Sequence, residues 1–124
     1  MTRRTLSLIA MVLFLVPALA LAADDALKAA PKKFKVLFEN DEVRVLEYTA
    51  KAGDKIATHT HPAHVLYSLS TGKTRFTMSD GSKREMDIKN GEARWSDPVT
   101  HSQEAVTDAH AIVVELKKQK KAKK

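Results

Sequence analysis

Between residues 34 and 117 the chain offers short β-rich runs and little else. They fall at 34–38, 43–48, 55–61, 65–70, 74–79, 83–88, 94–96, 101–107 and 110–117. All four glycines, Gly53, Gly72, Gly81 and Gly91, sit at turn positions between runs. Asn40-Asp41 and Asn90-Gly91 read as turns. Asp80-Gly81 joins two of the runs, and such a pair can take the positive φ angles of a type I′ turn, so a hairpin is expected there. No convincing helical pattern intervenes. Nine short strands separated by Gly, Asp and Asn turns specify an all-β sandwich or barrel.

The flanks differ in texture. Arg3 and Arg4 precede an apolar run over 6–21, and Ala20-Leu21-Ala22 supplies the small residues a signal peptidase reads. Residues 1–22 therefore read as a secretory signal peptide cleaved after Ala22. The run is 16 residues long, short of the roughly 20 a spanning helix needs. Residues 23–33, rich in Ala and Lys with Pro31, read as a linker, and 118–124 as a Lys-rich tail. The remaining 34–117 is long enough for one domain. The expected location is the periplasm or the exterior.

Charge is concentrated at the ends. The net charge of +6 includes Arg3, Arg4 and six lysines among the last eight residues; without these, 13 basic residues face 15 acidic ones. The basic balance thus belongs to the tail and does not describe a nucleic-acid-binding face. A solvated tail is the expected state, with weak attachment to anionic lipid as its sharper alternative. The chain has no cysteine, which removes a disulfide framework, a lipoprotein anchor and thiolate metal ligands.

Two histidines one residue apart, His59 and His61, share one face of a strand. His101 follows about forty residues on. Imidazoles converging on one face are the start of a metal site.

Gly53, five residues, His59, Thr60, His61-Pro62 and then Gly72 resemble the first motif of the cupin superfamily. Gly91, Pro98 and His101 resemble the second, one residue shorter than usual and with Val99 where a glycine is common. The resemblance covers 34–117. It implies a double-stranded β-helix, the jelly-roll or cupin barrel. It also implies that His59, His61 and His101 hold one divalent transition metal, whether Fe, Zn, Ni, Mn or Cu. Val65 stands where the resemblance places a ligating glutamate. His64 is adjacent, but strand alternation aims it at the opposite face. Without that glutamate the charge of a metal is uncompensated, which favours an anionic ligand from outside.

Other candidates carry less. Val65, Tyr67 and Leu69 share one face by alternation. If that face is the interior, the Tyr67 hydroxyl is available to orient a ligand, although packing is the commoner use of such a tyrosine. Trp95 is expected in the core, with the barrel mouth as its alternative, Glu104 at the surface by parity with His101, and His110 in a structural role. Glu104 and Glu115 are not flanked in a way that identifies a carboxylate pair. No phosphate loop, nucleophile elbow or cysteine nucleophile is present. The expected function is binding of a small molecule at a three-histidine metal site. The alternatives are a metal-dependent dioxygenase or isomerase, and a metal-free binding or stress-related barrel. Edge-strand pairing through 34–38 offers a route to a homodimer.

Overall fold

A computed structural model describes residues 23–117; the apolar run at 6–21 and the tail at 118–124 lie outside them. The nine expected strands are all present, as β2 (Phe34–Glu39), β3 (Val43–Ala50), β4 (Lys55–His61), β5 (His64–Ser68), β6 (Gly72–Met78), β7 (Lys83–Ile88), β8 (Ala93–Ser96), β9 (Val99–Ala105) and β10 (Ala109–Leu116). They are preceded by β1 (Asp24–Asp25) and a single helical turn, α1 (Ala26–Ala29). Two five-stranded sheets form, sheet I in the order β1-β4-β9-β6-β7 and sheet II in the order β2-β3-β10-β5-β8. Apart from the parallel β1–β4 contact, every ladder is antiparallel.

The turns behave as their residues dictate, with one difference. Asp80-Gly81 does close the β6–β7 hairpin, but only Gly81 has positive φ, at 84°. A type I′ turn needs two such residues. The connection runs over four residues between Met78 and Lys83, long enough for one left-handed glycine to suffice. Gly72 is required for a different reason. A Cβ there would lie 2.5 Å from Thr107 Oγ1 and 3.0 Å from the Asp108 carbonyl, so β6 can start this close to the 107–108 turn only with glycine.

The facing sides of the sheets make the core. Leu46, Tyr48 and Ala50 alternate inward on β3, as do Ala111 and Val113 on β10. They meet Phe34, Ile56 and Ala105. Burying about one leucine-sized side chain contributes roughly 1.5–3 kcal/mol, so a core this small depends on every layer being filled.

Residues 23–33 are not a linker. Asp25 caps α1 by accepting from the Lys28 backbone N–H at 2.9 Å, and Ala26 is fully buried in the core. Asp24 and Asp25 pair with His59 and Thr60 of β4. The Ala-rich composition that looked like a spacer supplies side chains small enough to pack a helical turn against the barrel wall.

The outer face of sheet II carries an unbroken apolar row. Phe38, Val45, Val114, Val65 and Trp95 are consecutive cross-strand partners over all five strands. Trp95, expected in the core, is 56 % exposed at one end of this row, and Phe38 is 54 % exposed at the other. Trp95 pairs with the outward-facing Val65, so its parity sends it outside; its indole N–H donates to Asp97 at 3.0 Å.

Candidate metal centre

The sequence of β4 places its two histidines side by side. Ile56, His59 and His61 are buried, while Ala57 and Thr58 are exposed. The alternation slips once, at an irregularity between Ile56 and His59 in the β4–β9 ladder. Past it, His59 lies directly opposite His101 of β9. Ring centroids are 4.9 Å apart for His59–His61, 4.8 Å for His59–His101 and 5.5 Å for His61–His101. One ring nitrogen from each of the three falls within 4.8 Å of the others. The three histidines named from the sequence therefore come together, all buried.

A fourth imidazole joins them, against expectation. His64 is buried, with its ring 4.9 Å from that of His61. Alternation holds only within one strand. Pro62-Ala63 ends β4 in sheet I, and His64 begins β5 in sheet II, so parity restarts across that connection. On β5, His64 and Ser68 are buried while Tyr67 is 44 % exposed. Val65 shares the outward parity of Tyr67. The motif's glutamate position thus faces away from the centre, and His64 is the residue of this strand that faces in. Tyr67 is likewise removed from the site.

The hydrogen bonds orient these rings. His59 Nδ1 lies 2.8 Å from the Ala57 carbonyl, and His64 Nδ1 lies 2.8 Å from the Pro62 carbonyl. A carbonyl only accepts, so each Nδ1 carries the proton and each Nε2 keeps its lone pair. His61 Nδ1 meets Glu115 Oε2 at 3.0 Å, with the same consequence. The Nε2 atoms of His59 and His101 are buried and without any partner. Leaving such a group unsatisfied costs about 1–3 kcal/mol. A ring tethered through Nδ1 with its other nitrogen free, as in His59 and His61, is the arrangement that metal-binding histidines need. The residues present fit a divalent transition metal.

Glu115 is the functional residue that sequence reasoning passed over. It is 1 % exposed on β10, flanked in its row by Arg44 of β3 and His64 of β5. Arg44 donates to its Oε1 from Nε at 2.8 Å and approaches with Nη2 at 2.7 Å. The carboxylate thus links a guanidinium to the His61 ring and supplies, one shell out, the negative charge that Val65 does not. Burial raises the Glu115 pKa, but bonds from His61 and Arg44 outweigh it and hold the carboxyl below its ordinary value. The sequence held one hint: an acid two residues beyond Val113 in an alternating strand. Both faces of β10 are otherwise apolar there, so parity did not say which was inside.

The electrostatics favour the neutral form of His59, His64 and His101. Burial, then the neighbouring His59, His61 and His64, pushes His101 down to about 3. His59 and His64 are also lowered, chiefly by burial. Neutral rings are the form that ligates. Phe34 and Phe76 wall the centre, the latter 4.7 Å from the His101 ring. A cavity of about 380 Å³ adjoins it, lined among others by His61, His64, His101, Leu66, Phe76 and Met86. Both β7 and β8 contribute lining residues; each is one of the two edge strands of its sheet, and no ladder joins them. Glu104 lies outside this cavity, and His110, though among its lining residues, is no part of the histidine trio. Glu104 pairs with Arg75 at 3.6 Å and His110 with Glu47 at 2.8 Å.

No protein-family model matches the chain, and no curated protein sequence does. Solved structures do. A cupin domain from Bordetella pertussis superposes with a TM-score of 0.62 at 20% identity, over 68% of this chain and 92% of that one. An RmlC-like cupin from Desulfovibrio desulfuricans gives 0.53 at 19% identity, over 82% and 94%. A cupin superfamily protein from Desulfitobacterium hafniense gives 0.53 at 12% identity, over 67% and 74%. The fold is that of the small single-domain cupins, and the all-β jelly-roll expectation holds.

Proposed function

Given a small cupin barrel with this imidazole cluster, we propose that the protein is an exported binding protein. It holds one divalent transition metal through His59, His61 and His101, with His64 beside them, and takes a small molecule into the adjoining cavity. One observation carries this reading: buried, unpartnered Nε2 atoms on His59 and His101, within a cluster whose other rings, His61 and His64, are tethered through Nδ1. A bound metal would offer Lewis acidity and open positions facing the cavity. Tyr67, whose hydroxyl is the sequence's candidate for orienting a ligand, lies on the outer face, which takes one support from a dioxygenase or isomerase. The tethered rings favour a metal over a metal-free barrel. Export rests on the 1–22 pattern, and cleavage after Ala22 would leave β1 intact.

Elemental analysis of untagged protein, loaded and then dialysed, is expected to find roughly one equivalent of a transition metal, with His61→Ala losing most of it. Less than about a tenth of an equivalent in the unmodified protein overturns the proposal.

The apolar row on sheet II supports a homodimer through that face, as a second route beside pairing along the edge at 34–38. Val114 is its centre. Light scattering should give twice the chain mass for the unmodified protein and a single chain mass for Val114→Lys. A monomer before substitution rules this assembly out.

A further inference from the structure

Four arginines lie among the described residues. Arg44 pairs with Glu115 and Asp25. Arg75 pairs with Glu85 and Glu104. Arg94 pairs with Glu92 and also donates from Nη2 to the Asp87 carbonyl of β7 at 2.7 Å, spanning the gap between the two edge strands. Among the described residues, Arg84 alone of the four has neither an ion pair nor a hydrogen bond from its side chain.

Its position gives that freedom a use. On β7, Arg84 has the same parity as Met86 and the buried Ile88, the side that faces the opposite sheet. It lines the cavity that His61, His64 and His101 line. Its cross-strand partner is Phe76, whose ring packs on His101. Arg84 and His101 lie two strands apart in sheet I, with β6 between them and their rows offset by two residues, so their Cα atoms are separated by roughly 12 Å. A guanidinium on a flexible stem closes part of that distance. The space between is walled by Phe76, Met78 and Met86. The nearby carboxylate of Asp80 is occupied by Ser82, whose N–H donates to it at 2.8 Å, and it forms no ion pair with Arg84.

We propose that Arg84 is the specificity-determining residue of this cavity, receiving the carboxylate of a small organic acid whose second oxygen function sits at the histidine centre. A planar fork of N–H donors matches a carboxylate with two parallel bonds, and it stays ionised throughout the physiological range. The apolar wall between the two polar ends selects a ligand with a short hydrocarbon spacer. The inference rests on the cavity being a ligand site, as proposed above, and it names the class of ligand.

The test uses the full chain as purified, titrated calorimetrically with malonate, succinate, glutarate and adipate and with their neutral diamides. At least one diacid should bind more tightly than its diamide. Arg84→Gln should weaken that diacid roughly 10- to 100-fold, the loss of one charged, hydrogen-bonded contact. Arg84→Lys, which keeps the charge without the fork, should fall between them. Metal content, measured on the same samples, should be unchanged in both variants. The proposal is overturned if no diacid outbinds its diamide, or if the Gln variant binds the acids as well as the unmodified protein does. Arg84-dependent acid binding in a chain that holds no metal would retain the anion site and remove the metal reading. Full metal content with acid binding indifferent to Arg84 would do the reverse.

Discussion

The side chain with most leverage on the centre is not itself a candidate ligand. Glu115 accepts from Arg44 and meets His61 Nδ1 while almost wholly buried. Replacing it with glutamine removes the charge but keeps the shape. Arg44 would then be a poorly compensated cation in the barrel, a change of the kind that costs about 3–5 kcal/mol. Glu115→Gln should accordingly lower the melting temperature clearly. It should also weaken metal binding by roughly 10- to 100-fold, as removal of a partner that orients a ligating histidine does. Competition with a chromogenic chelator measures the second effect. Unchanged affinity would mean that His61 is held without Glu115. His64→Ala should cost less metal affinity than His61→Ala, because His64 lies outside the tight trio.

At the scale of elements, the N-terminal segment is part of the barrel. β1 pairs with the stretch of β4 that carries His59, Asp25 reaches Arg44 at 3.4 Å, and α1 covers the core with Ala26. A chain truncated to begin at residue 31 should therefore be less stable. Urea unfolding should show a lower midpoint than for a chain beginning at Ala23, and metal affinity should fall as β4 loses its parallel neighbour. Equal midpoints would return the segment to the status of a spacer. The β4–β5 connection is the other decisive element. Pro62 and Ala63 carry the chain from one sheet to the other, and that change of layer is what turns His64 inward.

For the whole molecule, the buried titratable groups set the pH response of the metal-free protein. His101 is lowered to about 3 in the fold, against about 6.5 in an unfolded chain. The unfolded state therefore binds the proton first. The contribution is fully present above about pH 6.5 and is lost progressively as pH falls toward 3. His59 and His64 are shifted in the same direction. Glu115, lowered below its ordinary 4.5, adds a further loss at the acid end as it is forced to protonate. Thermal melts of metal-free protein should thus fall steadily from pH 7 to pH 4. A flat profile over that range would contradict neutral burial of the histidines.

The sequence by itself determined the strands, their turns and the shared face of His59 and His61, because these follow from local rules: alternation with period two and turn formers at the boundaries. His101 followed from motif spacing. Tertiary structure alone decided where His64, Glu115, Trp95 and residues 23–30 lie. Parity tells which residues share a face but not which face is inside, and β10 is apolar on both. Nor does parity survive a connection that changes sheets, as between His61 and His64. Whether an Ala-rich segment packs or hangs free depends on a wall for it to meet, and only the assembled layers provide one.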